Sequence, residues 1–397
     1  MRGTTINLLN YFYIGLTLLW QPLQNIIIRI DGKGRTLVLG TFVILFCNLS
    51  NNKFRDLLKT SPSIFWLLLC VYAVINLFFC GYHNTSLPFF YFAVVYVFIP
   101  CIIMLVVAYE FQKDSYKIVK FLLLILIIYV TLGLLGDRAS NNADSQRMGG
   151  TLGNILALNS IFIILFAGIL KSWKKMSLTK FVVLTVIAML SPIFLATRKA
   201  FAAALIVLMS VFFSLFIPNL KITFANLLKL ILLISSMYLT ATLILDYTYI
   251  GERFSNVAEV ASDFGAGDNL FLQMMGDRAY FYIRGYEVFQ DHMLTGIGLG
   301  NFQHLTDSYN VLHTEYMVQL CENGIVGTVL FVCFYLYILV KLISMLKKNP
   351  QMNKITIIML GAFLAIVFIN FTAWTYSFPI YFSVFGVIIG YIKKGSI

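Results

Sequence analysis

The amino-acid sequence predicts an all-α, polytopic integral membrane protein with about twelve transmembrane helices and one large extracytoplasmic loop subdomain. Three observations carry this reading. Hydrophobic residues make up 60% of the 397 positions and charged ones only 12%, against roughly 25% charged in an ordinary soluble domain. Apolar runs long enough to cross the hydrocarbon layer, about 20 residues as helix, recur along the whole chain. Lys and Arg fall unevenly into the segments between those runs. The same composition excludes a disordered chain and a disulfide-stapled secreted scaffold. The six cysteines (Cys47, Cys70, Cys80, Cys101, Cys321 and Cys333) form no C-x-x-C pair, and five lie in apolar runs, where a thiol packs as a small hydrophobe.

In chain order the runs lie near 5–21, 36–50, 62–81, 87–109, 118–136, 152–170, 181–197, 200–217, 227–245, 324–345, 355–372 and 375–392. The first ends at Trp20-Gln21-Pro22 without a small-residue cleavage site, so it reads as a span rather than a signal peptide. With the N-terminus in the cytoplasm, cytoplasmic segments hold 19 of the 29 basic residues, whereas the reverse orientation leaves 10 there. Both termini are therefore assigned inside. The chain divides into residues 1–245 with nine spans, an extracytoplasmic loop at 246–323, and residues 324–397 with three spans. The loop carries 11 of the 17 acids and three arginines, a net −8 against +20 for the remainder. The basic balance thus reflects lysines facing anionic lipid rather than nucleic acid. A loop this long is expected to fold as its own helical subdomain.

The kind of basic residue also differs between the two sides. Inside, 17 of 19 are lysine; outside, eight of ten are arginine, namely Arg29, Arg35, Arg138, Arg147, Arg198, Arg253, Arg278 and Arg284. A guanidinium is a rigid fork of donors that fits phosphate oxygens in pairs, where an ammonium offers a point charge. Each arginine alone reads as a phosphate ligand or as a headgroup anchor; eight together favour the first.

The densest stretch runs from Asp277-Arg278 to Gly327. It holds Gly296-Ile297-Gly298-Leu299-Gly300-Asn301-Phe302, then His313-Thr314-Glu315, then Gly324-Ile325-Val326-Gly327. His313 precedes an apolar-periodic run that reads as a helix N-terminus, where the dipole favours neutral imidazole, the form a general base needs. On the residues alone two readings stay open: a general base, or a polar interfacial group at the re-entry into the membrane, the commoner use of such a position. The three glycines do not make a nucleotide loop, because the third expected position is Asn301. Asp291, His292, His304, Asp307 and His313 fit no standard ligand spacing, so no metal is expected. The sequons at Asn48, Asn84 and Asn370 lie in or beside spans and read as accidental.

The pattern His313-Thr314, nine residues, Gly324, two residues, Gly327, following the glycine turn, resembles the O-antigen polymerases (Wzy type) and O-antigen ligases. Four histidines and 26 glycines in 397 residues give about 0.02 chance matches. Thr314 stands where the ligases more often carry Asn, Ser or Gln. Leu195-Ala196-Thr197-Arg198-Lys199-Ala200 looks like the family's T-x-S/T-R-x-A hairpin. Gly276-Asp277-Arg278-Ala279-Tyr280-Phe281-Tyr282 resembles its G-x-R-x-x-x-aromatic element, and Gln146-Arg147-Met148-Gly149-Gly150-Thr151 resembles a shorter outside loop. Arg138 with Gly149 matches an R-x10-G pattern, for which about 0.65 chance matches are expected, so it carries no weight.

The resemblance implies a glycosyltransferase of the bacterial inner membrane with its active face periplasmic. Arg278 and Arg198 would hold the diphosphate of an undecaprenyl-diphosphate-linked oligosaccharide donor, and His313 would deprotonate the acceptor. Arg147, Arg138, Arg253, Arg284 and Glu315 would complete the substrate site. Such a leaving group needs no covalent nucleophile; arginines in place of Mg²⁺ would neutralise it, and a single displacement would invert the anomeric carbon. No cofactor is expected. The implied partners are lipid-linked donor and acceptor, membrane lipid and, as a candidate, a chain-length regulator protein, with no nucleic acid. The leading expectation is a polymerase of O-antigen or capsular repeat units. A ligase delivering the chain to lipid A-core is the alternative. A transporter or flippase is the third reading, but it would place ionisable groups at mid-span, where this chain has few.

The basic split makes the orientation testable. In a background with the native cysteines replaced, Asp263→Cys should react with an impermeant thiol reagent in spheroplasts and Lys174→Cys should not. The opposite labelling would reverse the orientation.

Overall fold

The computed structural model describes residues 2–26, 35–79, 98–137, 150–194, 197–216, 235, 278–302, 312, 314–348, 353–371, 373, 375 and 378–395. Among these residues there are thirteen helices and no strand. They are α1 (Arg2–Ile26), α2 (Arg35–Leu49), α3 (Asn52–Leu58), α4 (Ser61–Phe79), α5 (Ile99–Lys113), α6 (Ser115–Asp137) and α7 (Gly150–Ser172). Then follow α8 (Leu178–Phe194), α9 (Arg198–Phe216), α10 (Arg278–Asp291), α11 (Glu315–Lys348), α12 (Asn353–Asn370) and α13 (Pro379–Gly395).

Described helices overlap eleven of the twelve apolar runs, the fourth from residue 99 on; the ninth run, 227–245, lies outside the described residues apart from residue 235. Among the described residues three helical stretches are both long and apolar enough to cross a membrane: Ser61–Phe79, Ser115–Gly133 and Glu315–Leu346. Leu37–Leu49 and Asn52–Leu58 make a fourth if the pair, bent by 111°, is one span. The stretches Leu156–Ser172, Leu178–Ile193, Lys199–Leu215 and Lys354–Asn370 are apolar but shorter.

Two details depart from the sequence expectation. Helix α3 interrupts the segment between the second and third runs. Asn51 caps it, accepting the Lys53 N–H at 2.9 Å, while Phe54 and Leu57 bury its apolar side. The helix that carries the tenth run begins at Glu315, where the helix N-terminus after His313 was expected, but Gly324 is a break inside it.

The chain forms two compact units. The first comprises 1–125, 280–344 and 366–397; the second comprises 126–279 and 345–365. In the first unit α5 and α13 form the central pair, buried from Ile99 to Phe111 and from Ile380 to Ile392. A helix buried on all sides is a core element of a bundle. Their close approach needs small residues: a Cβ on Gly386 would lie 2.5 Å from Met104 O, and one on Gly390 2.9 Å from Ala108 O. Gly386 and Gly390 form a GxxxG pair, the device by which helices meet in lipid, where apolar burial alone does not drive association. Around this pair α1, α2 and α4 turn Leu8, Phe12, Leu39, Phe46 and Phe79 outward, each more than 60% exposed. Lipid is the solvent that accepts such side chains. Beneath them Asn10 and Asn48 exchange amide bonds (3.2 and 2.8 Å), and Asn10 also donates to Glu110 at 2.7 Å, tying α1, α2 and α5. Asn48 is thus fully buried and engaged. In the second unit α7 is the central helix, buried from Leu156 to Leu170 and packed by α8 and α9.

Gly386→Leu should force the α5–α13 pair apart and lower stability by about 1–3 kcal/mol. Gly40→Leu, where a Cβ meets nothing within 4 Å, should be tolerated. Thermal unfolding of both variants in detergent tests the contrast, and equal melting would remove the close-packed seam.

Candidate functional site

The site region is built on the glycines that follow α10. After Asp291 the chain turns tightly: the His292 N–H donates to Val288 O and Phe289 O (3.1 and 3.2 Å) and the Gly296 N–H to His292 O (2.8 Å). Gly296, Gly298 and Gly300 then adopt φ of 70°, 85° and 76°. These alternating left-handed residues are ones that glycine adopts without steric cost. Gly324, at φ 61° and ψ −166°, breaks α11 in a conformation essentially confined to glycine.

The turn and the break are one joint. An uninterrupted helix would send the Ile325 N–H to Cys321 O and the Val326 N–H to Glu322 O. Instead Ile325 donates to Met293 O (2.8 Å) and Val326 to Leu294 O (3.3 Å). The vacated carbonyls of Cys321 and Glu322 accept from the N–H groups of Ile297 (2.9 Å) and Gly298 (2.8 Å). The turn is therefore inserted into the helix ladder, and these four backbone groups keep partners.

Helix α4 closes the joint from the side. The Tyr72 hydroxyl donates to Thr295 O (3.0 Å) and Asn323 O (2.9 Å), and Asn76 Nδ2 donates to Thr295 O (2.6 Å) and Glu322 O (3.1 Å). There is no room for side chains at the contact. A Cβ on Gly296 would lie 2.5 Å from the Glu322 carbonyl carbon, and one on Gly324 2.5 Å from that of Leu294. A Cβ on Gly327 would meet Asn323 and come within 3.0 Å of the Tyr72 ring. The two motif glycines are thus fixed by backbone geometry and close approach.

A buried polar ladder runs along the start of α11. Gln319 Nε2 donates to Glu315 Oε1 (2.8 Å), and Asn323 Nδ2 donates to Gln319 Oε1 (2.9 Å), spacing the three by one turn each. Glu315, fully buried, also accepts the Thr375 backbone N–H at 2.8 Å. Thr375 Oγ1 in turn donates to Asn370 Oδ1 (2.6 Å), and Asn370 Nδ2 donates to the Tyr335 hydroxyl (2.9 Å). Thr314, buried beside Glu315, donates to Asn370 O at 3.1 Å. Charge-assisted donors of this kind are what allow a carboxylate to sit in an apolar interior. The network pins the helix start that immediately follows position 313. On the other side Gly285 of α10 approaches closely, its O accepting from Cys321 Sγ at 2.8 Å.

The predicted residues distribute as follows. Arg198 is the first residue of α9 and Arg278 the first of α10. Both open helices, where unpaired N–H groups and the dipole favour anions. His313, Arg138, Arg147 and Arg253 lie outside the described residues, as do His304 and Asp307. Arg284 pairs with Glu287 at 2.7 Å, both side chains more than 40% exposed, an arrangement of small stabilising value. Glu315 is held inside the ladder. Among the described residues no three His, Cys, Asp or Glu side chains converge as a metal group. Tyr72, Asn76 and Thr375 escaped the sequence reading. The signal for Asn76 was an amide in the middle of an apolar run, and for the ladder it was polar residues at i, i+4 and i+8 from Glu315.

Residues 183–332 match the family Wzy_C, described as O-Antigen ligase. The match covers Arg198, Arg278, the glycine turn and both motif glycines, and it supports placing the chain in the O-antigen polymerase and ligase family. No curated protein matches the chain.

Gly324→Ala should destabilise the joint by roughly 3 kcal/mol or more, since it adds strain to a clash. Tyr72→Phe and Asn76→Leu should each cost about 1–3 kcal/mol, and less than additively because both bond Thr295 O. Limited proteolysis within 292–302, read with thermal unfolding, measures this. Wild-type resistance in Gly324→Ala would refute the inserted turn.

Proposed function

We propose that this protein is a twelve-span polymerase joining undecaprenyl-diphosphate-linked oligosaccharide repeat units into O-antigen or capsular polysaccharide. The observation that carries the reading is the coincidence of the family match with the three residues assigned to chemistry. Each of those three stands at or just before the start of a helix: Arg198 at α9, Arg278 at α10 and His313 two residues ahead of α11. Helix starts of this kind concentrate positive potential, which suits a diphosphate leaving group and keeps an imidazole neutral.

In this reading the arginines bind the diphosphate in bidentate fashion and neutralise the charge that develops as the sugar–phosphate bond breaks. His313 takes the proton of the acceptor hydroxyl, an assistance worth about 10²–10⁴-fold. The glycine joint and the Glu315 ladder fix the start of α11, the helix that follows His313 in sequence. The loop 246–323 faces the periplasm, both termini are cytoplasmic, and the transfer is inverting and independent of metal. Arg138, Arg147, Arg253 and Arg284 contact the charged part of the substrate, and a chain-length regulator is a partner. Ligase activity is the second reading, favoured by the description of the matched family; the departure at Thr314 favours the polymerase.

The test is turnover of lipid-linked donor by the purified protein in EDTA without nucleotide. His313→Ala should retain donor binding while turnover falls by roughly 10²-fold or more. Arg278→Lys and Arg198→Lys should weaken donor binding and turnover together, by about 2–3 kcal/mol. Wild-type behaviour of both lysine variants would make the arginines headgroup anchors. A deletion strain separates the two products: single repeats attached to core support the polymerase, and unattached long chains support the ligase.

A further inference from the structure

A second polar region of the first unit takes no part in the proposed transfer. Two adjoining cavities, of about 670 and 440 Å³, lie around α3, both within the size range of small-ligand sites, about 300–1,000 Å³. Lys53, Lys113, Lys393 and Lys394 line the first, and Lys59, Lys341 and again Lys393 line the second. Six lysines thus surround the pair. Asp56, which lines both, makes no ion pair within 4.0 Å among the described residues. Lys113 reaches Glu110 at 4.0 Å and lies 5.4 Å over the Tyr109 ring, and Lys394 reaches Ser115 Oγ at 3.4 Å.

A second observation also points to an anion. Gln112, on the wall of the larger cavity, has a buried Nε2 with no hydrogen-bond acceptor among the described residues. A buried donor without a partner is destabilising unless an oxygen is supplied. The wall that carries these groups is fixed, because Asn51 caps α3 and its Nδ2 donates to the Tyr109 hydroxyl at 2.8 Å.

The surroundings identify the source of the oxygen. Helix α3 leaves α2 at 111°, so if α2 crosses the membrane, α3 runs close to its plane. The flanking helices end in exposed apolar faces, Leu39, Val43 and Phe46 on α2 and Val340 and Ile343 on α11. Acyl chains lie against faces like these, and lysines at their ends reach the phosphate layer. We propose that the paired cavities bind the phosphate headgroup of an anionic phospholipid. Lys393, shared between the cavities, joins two phosphate subsites, so a lipid with two phosphates occupies both. The proposal is independent of the glycosyl-transfer reading.

Native mass spectrometry of the purified full chain in non-ionic detergent tests it, with cardiolipin, phosphatidylglycerol and phosphatidylcholine as probes. Retention should follow that order, with phosphatidylcholine lost. The Lys53→Gln, Lys393→Gln, Lys394→Gln triple variant should lose retention by roughly 10²-fold, at about fivefold per lysine near an anionic headgroup. Arginine at the same three positions should restore it, and Lys174→Gln with Lys180→Gln should leave it unchanged. If the triple variant does not fold, Lys393→Gln alone should reduce cardiolipin retention more than phosphatidylglycerol retention. Equal retention of phosphatidylcholine, or wild-type retention by the folded triple variant, would overturn the proposal. Displacement of lipid by millimolar inorganic phosphate would make the cavities a free-anion site and overturn it as well.

Discussion

The exchange of backbone hydrogen bonds at Gly324 is the constraint on which the site region depends. A helix interrupted in a membrane strands carbonyls and N–H groups that hydrocarbon cannot satisfy, at a cost of several kcal/mol each. Here the turn at 293–298 supplies those partners bond for bond. The break is thereby converted from a defect into a rigid attachment between α10 and α11. Both partners of the attachment must be glycine-rich, since one side needs left-handed backbone and the other a passage without Cβ.

The polar ladder extends this rigidity toward the start of α11. Glu315, Gln319 and Asn323 lie on one stripe, with the break at its lower end and Thr375 at its upper end. A carboxylate so deeply engaged serves to orient the backbone around it. The first turns of α11 are therefore fixed by neighbours, the condition under which a group carried there loses little to reorganisation.

Much of this was legible in the sequence because membrane solvent imposes strong rules. Hydropathy located helices at eleven of twelve runs, since a segment must satisfy its backbone internally to lie in lipid. The glycines 296, 298, 300, 324 and 327 stood out by spacing, and each of the five needs either positive φ or contact without Cβ. What was not legible has a common cause: it depends on partners remote in sequence. Nothing near Tyr72 or Asn76 announces that their acceptors lie more than 200 residues away. Helix α3 was hidden for a different reason, because seven residues are too few to show a period. The helix start after His313 was legible, but the break at Gly324 was not, because it depends on the turn at 293–298 that supplies its hydrogen-bond partners.

The link from Asn76 to Thr295 and Glu322 also sets an order of assembly. The amide lies in α4, and its acceptors are 219 and 246 residues further along the chain. During synthesis from the N-terminus α4 enters the bilayer long before those carbonyls exist. For that interval a primary amide sits on an otherwise apolar helix with no native acceptor, a state that lipid penalises and that a transient neighbour or water must relieve. Maturation of this protein thus contains a waiting step: an early helix is parked incompletely satisfied and is finished only when one of the last helices arrives.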